Sequence, residues 1–147
     1  MNAIKLNFIN KSDDPNNSDI IIFQKNEAND FEGIVVAWKV IRNCAVGWHH
    51  RFELPNEINI GASDSWGNEL DSPIPAEEGQ QFRVYADAAG NHIEYEGQGS
   101  STEKVLFRSD LSKGSIYANI YKAGKLLARS TGISPAQTSA FRFKPTI

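Results

Sequence analysis

Six consecutive residues, Gly47-Trp48-His49-His50-Arg51-Phe52, hold the densest concentration of side chains able to bind or react in this chain. Imidazoles ligate metals or move protons near neutral pH, an indole stacks on flat ligand faces, and a guanidinium grips anions. In an extended backbone Trp48 and His50 share one face, while His49 and Arg51 share the other. Neighbouring histidines on opposite faces do not chelate one ion. Only His92 offers a third imidazole, and no cysteine or H-x-x-x-H spacing completes a zinc set. The segment therefore reads either as a core Trp beside solvated histidines or as a surface aromatic–basic patch, with Trp48, His49, His50 and Arg51 as candidate ligand contacts in the second case.

Asp64-Ser65-Trp66-Gly67-Asn68-Glu69 is the second candidate. Gly67-Asn68 marks a turn, so Trp66 is a large aromatic in a loop, either folded under it or offered to a ligand. Asp64 and Asn68 flank it with groups that hydrogen-bond hydroxyls while an indole stacks on a sugar face. That combination suits a carbohydrate.

A third cluster, Asp13-Asp14-Pro15-Asn16-Asn17-Ser18-Asp19, offers oxygen ligands within seven residues. Calcium takes six to eight such oxygens, which makes Asp13, Asp14, Asn17 and Asp19 weak metal candidates. The order is not that of an EF-hand, and a solvated turn rich in Asp and Asn accounts for it more simply. Cys44 lies near His49 and His50 in sequence, but a nucleophilic pair needs spatial contact. A lone cysteine beside a Val/Ile-rich strand reads as packing. Glu77-Glu78 and the pair Glu94 and Glu96 read as solvated positions. No G-x-S-x-G elbow, P-loop, H-E-x-x-H or dinucleotide-binding glycine pattern is present, so no catalytic centre and no cofactor are expected.

The elements that must carry these side chains are strands. Phe82-Arg83-Val84-Tyr85-Ala86-Asp87, the turn Ala88-Ala89-Gly90-Asn91 and His92-Ile93-Glu94-Tyr95-Glu96 alternate apolar and polar residues around a chain reversal. The same period places strands near residues 4–10, 51–54, 57–62, 103–108, 115–122, 125–130 and 138–144. A continuous apolar run at 19–25 reads as a strand covered on both faces. The β-branched segment GIVVAWKVIR, residues 33–42, reads as one central strand. The expected fold is all-β: a single-domain antiparallel β-sandwich over residues 1–147, with about ten short strands joined by hairpins and polar loops.

Composition agrees. A chain of 147 residues, 40% hydrophobic and 22% charged, is long enough to bury a core without disulfides. The net charge of −3 and the scattered Lys and Arg leave no basic stripe, so nucleic acid is not an expected partner. Met1 to Phe8 reads as a strand and not as a signal peptide. With one cysteine, the expected location is the cytoplasm, or outside the cell after release without a signal peptide.

The expected function is non-catalytic binding through loops at one end of the sandwich, with a carbohydrate or glycosylated surface as ligand. Two rivals are kept. One is a membrane-binding or pore-forming small acidic β-sandwich that meets lipid through exposed Trp48 and Trp66. The other is a structural subunit that self-associates through edge strands near residues 4–10 or 138–144, where Lys5, Lys144 and Pro145 would blunt the edges.

Overall fold

The computed structural model describes residues 3–28 and 34–143. Lys144 and Pro145 lie outside the described residues. The described chain is all-β, with thirteen strands in four sheets and no helix. All four strand orders are open-ended, so none closes into a barrel. Among the described residues no helix is long and apolar enough to cross a membrane.

Two sheets carry most of the residues. The first is four-stranded. Its strands are β8 (Gln80–Asp87), β9 (Gly90–Gln98), β10 (Val105–Ser109) and β13 (Thr138–Phe141), in the order β13-β10-β8-β9. The second is five-stranded, in the order β3-β12-β11-β6-β7. It holds β3 (Ile34–Val35), β6 (Ile58–Asp64), β7 (Ile74–Ala76), β11 (Ile116–Lys122) and β12 (Lys125–Arg129). Two antiparallel ribbons flank them. One pairs β1 (Ala3–Ile9) with β5 (His49–Pro55), and the other pairs β2 (Ile20–Ile22) with β4 (Lys39–Ile41).

Alternation assigns the faces. Phe82 and Val84 of β8, Ile93 of β9, Val105 and Phe107 of β10 and Phe141 of β13 join Ile60, Ala62, Ile116, Ala118, Ile120 and Leu127 of the five-stranded sheet in one buried cluster. Both large sheets therefore contribute one face to the same core. Trp38 also belongs to that core, 6% exposed, with its indole N–H donating to the Lys122 carbonyl at 3.0 Å.

The two expected hairpins are present. Asp87 pairs with Gly90 across Ala88-Ala89, and Asp87 Oδ1 accepts the Ala89 N–H at 2.8 Å. Ala123 and Gly124 both have positive φ, 51° and 74°, the backbone of a type I′ turn between β11 and β12.

Three expectations need correction. First, the pairing is not wholly antiparallel, because β8 and β10 run parallel, with Phe107 beside Phe82. A parallel pair ordinarily needs a long crossover. Here β9 itself returns the chain to the start of β8, so residues 99–104 need only step past that one strand. The step turns on Gly79, whose N–H donates to the Lys104 carbonyl and whose carbonyl accepts from Gly99.

Second, residues 33–42 are not one central strand. They divide into β3, an edge of the five-stranded sheet, and β4, in a different sheet. Third, β2 is not covered on both faces. Ile21 is 57% exposed, because its sheet is a ribbon of two strands.

Gly79 has φ +85°, and a Cβ there would sit 3.1 Å from Gln98 Oε1 and 3.2 Å from the Thr102 carbonyl oxygen. A left-handed L-residue costs roughly 1–2 kcal/mol before any crowding. Gly79→Ala is expected to lower the unfolding free energy by about 2 kcal/mol, several degrees of Tm for a chain of this length. Calorimetry checks this, and an unchanged Tm would mean that the step past β8 does not depend on this backbone.

Candidate functional site

The turn at the end of β6 is built around one carboxylate. Asp64 Oδ1 accepts the N–H groups of Trp66 and Asn68, each at 2.9 Å, and Oδ2 accepts from Asn68 Nδ2 at 3.0 Å. The backbone closes the same turn: Asp64 N donates to the Asn68 carbonyl, and Gly67 N donates to the Asp64 carbonyl. The Asn68 amide, first among these donors, holds the Asp64 carboxyl below the usual carboxylate range. Trp66 is not folded under this scaffold. It is 87% exposed, the most exposed large apolar residue described. Asp64 and Asn68 thus fix the backbone from which the indole projects, and most of their polar capacity is spent within the turn.

Behind the turn lies the outer face of the five-stranded sheet. Ile116, Ala118 and Ile120 of β11 point into the core, so Tyr117, Asn119 and Tyr121 point the other way. Asn119 Nδ2 donates to Ser63 Oγ at 3.1 Å, and Arg129 Nε donates to Asn119 Oδ1 at 2.9 Å. The Arg129 guanidinium also lies 5.6 Å from the Tyr117 ring centre. A Cβ on Gly61 would be 3.3 Å from both the Tyr121 ring and Pro73, so the missing side chain lets these two lie over the strand. Burial, then the charge of Glu69, raises the Tyr121 hydroxyl above its ordinary pKa. Ser63 bridges to Glu69, which folds the Trp66 turn back beside this face. Two half-buried tyrosines and an arginine fixed by a buried amide thus lie on the sheet face beside the turn that carries the exposed indole.

The Trp48 cluster is placed elsewhere, at the head of the β1–β5 ribbon. Trp48 is 62% exposed, and His49, His50 and Arg51 are exposed on alternating sides of β5. Buried Asn10 organises the preceding loop. Its Nδ2 donates to the Cys44 carbonyl at 2.7 Å, its N–H to the Trp48 carbonyl, and its own carbonyl accepts from Gly47. Cys44 is buried, with its sulfur 3.9 Å from the Trp48 carbonyl oxygen. Among the described residues, no hydrogen bond or ring contact joins the Trp48 loop to the Trp66 turn.

The acidic loop does not converge on a point. Asp14 accepts from Asn16 N and from Ser18 Oγ within the loop, while Asp19 is drawn to Asn43 N and Arg42. Among the described residues, no group of three His, Cys, Asp or Glu is arranged to hold a metal ion.

One feature was missed by the sequence reading. Lys122 ends β11 on the core side, 5% exposed, with its amine donating to Gln24 Oε1 at 2.8 Å. Burial alone pushes the amine below the ordinary lysine pKa. Lys122, Gln24 and Asn56 line both an apolar cavity of about 270 Å³ and a polar cleft of about 740 Å³. The signal was present in the period of two: Ile116, Ala118, Ile120 and Lys122 fall on one face.

A charge network covers the outer face of the four-stranded sheet. Arg108 contacts Asp110 and Glu96 at 2.8 Å each, and Arg83 bridges Glu94 and Asp110. Arg108, then Arg83, holds the Asp110 carboxyl below its ordinary value against desolvation. Asp71 is lowered chiefly because its Oδ2 accepts the N–H of Ile93 at 2.8 Å on the edge strand β9. Depressed carboxylates stabilise the folded state fully above their unfolded pKa, about 3.9, and lose that contribution as pH falls through the folded value. The urea midpoint is therefore expected to be flat between about pH 7 and 5 and to drop below about pH 4. Asp71→Ala and Asp110→Asn should each shrink that acid step, and a step unchanged in both variants would assign it to other groups.

No protein-family model, curated protein or solved structure matches this chain. Function must therefore be argued from the chemistry of its own side chains.

Proposed function

We propose that this chain is a non-catalytic binding protein: a β-sandwich whose two large sheets pack face to face and whose ligand is a carbohydrate or a glycosylated surface. The carrying observation is Trp66, 87% exposed on a turn tied by its neighbour's carboxylate. With the turn backbone fixed before binding, only the indole rotamer is left to order when a sugar ring stacks on it. Tyr117, Tyr121 and Arg129 extend the surface with partly apolar groups. Buried Asn119, itself bonded to buried Ser63, positions Arg129 from beneath. The sandwich reading draws its support from the shared core cluster.

A second reading, attachment to a lipid surface, draws on a different set of residues. Trp48, Val46 and Ile9 are 62%, 49% and 46% exposed around the head of the β1–β5 ribbon. Aromatic and aliphatic groups of this kind favour a membrane interface. Co-sedimentation separates the two readings. The protein incubated with insoluble polysaccharides and, in parallel, with anionic and neutral liposomes should pellet with a polysaccharide. Pelleting with liposomes alone would transfer the function to the Trp48 surface.

A further inference from the structure

We infer that the apolar cavity beside Lys122 is a second ligand site, independent of the Trp66 face, and that it takes an apolar monocarboxylate of medium chain length. The cavity, about 270 Å³, is walled by Ile4 and Leu6 of β1, Phe52 and Leu54 of β5, Leu127 of β12 and Trp38. These strands come from one ribbon and one large sheet, and alternation turns an apolar side chain of each toward the gap. This apolar wall favours a hydrocarbon chain over a group that must stay hydrated along its length.

Gln24, Lys25, Glu27, Asn56 and Lys122 supply the polar part of this lining, and Lys122 is the buried charge-bearing residue among them. Lys122 is 5% exposed, its amine donates to a neutral amide oxygen, and among the described residues no ion pair joins it to a carboxylate. A buried ammonium without a counter-ion is costly, and replacing such a group by an apolar one generally stabilises a fold. Ile116, Ala118 and Ile120 precede Lys122 on the same face, so another aliphatic residue would have suited packing alone. An entering carboxylate supplies a counter-charge that no described residue provides, through a charge-assisted hydrogen bond, while its chain fills the apolar volume. The other charged residues lining the cavity are Lys25 and Glu27, so the lining carries two lysines against one glutamate. The adjoining cleft carries Glu57, Glu77, Glu78 and Glu103 against Lys122 and Arg142. Its excess of negative charge repels the same ligand and leaves the apolar side as the place for it.

Calorimetric titration of the whole chain with hexanoate, octanoate, decanoate and dodecanoate, and with octanol, tests this. Affinity should rise about fourfold per methylene until the cavity is full and then level off. Octanol, matched in length but without the charge, should bind at least tenfold more weakly than octanoate. Lys122→Met should keep or raise the melting temperature and abolish the preference for octanoate over octanol. Leu6→Trp, which fills the cavity, should remove binding of both. Trp66→Ala should leave the octanoate titration unchanged. Octanol binding as tightly as octanoate to the unaltered chain would overturn the inference without any variant. So would octanoate binding undiminished in Lys122→Met, or no binding of any chain length.

Discussion

Phe107→Ala is expected to cost about 3–5 kcal/mol of unfolding free energy. Phe107 is 0% exposed, at the middle of β10, flanked by Ser139 of β13 on one side and Phe82 of β8 on the other. Its ring lies in the cluster that Ile60, Ile120 and Leu127 reach from the five-stranded sheet. Truncation removes the transfer free energy of the ring and leaves a void in the core that both large sheets line, each held by its own ladder, which limits collapse around it. Against a total of roughly 5–15 kcal/mol for an ordinary domain, that is a large share. Phe107→Leu should cost less than half as much. Equilibrium urea unfolding reads both values. A cost under about 1 kcal/mol for the alanine variant would mean that the two sheets do not share a close-packed interior, and the face-to-face sandwich would fall with it.

The second large effect concerns binding and not folding. Trp66→Ala should weaken attachment to the polysaccharide at least tenfold, while the urea midpoint stays where it was. The indole makes no tertiary contact that burial would register, so stability has little to lose, whereas a central exposed aromatic is the kind of residue on which binding energy concentrates. Asp64→Ala should weaken binding as well, by an indirect route. It releases the N–H groups of Trp66 and Asn68 and lets the turn sample other shapes. Trp48→Ala serves as the contrast. It should leave polysaccharide binding unaltered and reduce whatever affinity for liposomes exists.

Local pattern carried much of this fold. The β8–β9 and β11–β12 hairpins follow from alternation and a two-residue reversal, because both depend on neighbours in sequence. What depends on distant partners was not legible. The run from Gly33 to Arg42 is rich in β-branched residues throughout, and nothing in it says that Ile34-Val35 and Lys39–Ile41 go to different sheets. The parallel register of β10 on β8 is set by the step around Gly79, which no periodicity encodes.

The candidate site divides the same way. That Trp66 sits in a turn could be read from Gly67-Asn68. That it projects from the turn, and that Asp64 and Asn68 are spent in holding the turn backbone, depended on the direction of one carboxylate. The cavity beside Lys122 exists only where the β1–β5 ribbon meets β12 and Trp38, segments far apart in the chain. The four aligned positions from Ile116 to Lys122 nevertheless placed a charge on a buried face, and that conflict with ordinary patterning was the readable sign of it.

The most direct measurement is a ¹⁵N NMR titration of the three indole N–H signals with soluble oligosaccharides prepared from the polysaccharide that pellets the protein. The account predicts that the Trp66 signal moves and saturates with ligand, that the Trp48 signal stays in place, and that the Trp38 signal, donated to the Lys122 carbonyl inside the core, also stays in place. A Trp66 signal unmoved by every oligosaccharide, or moved only by lipid vesicles, would contradict it.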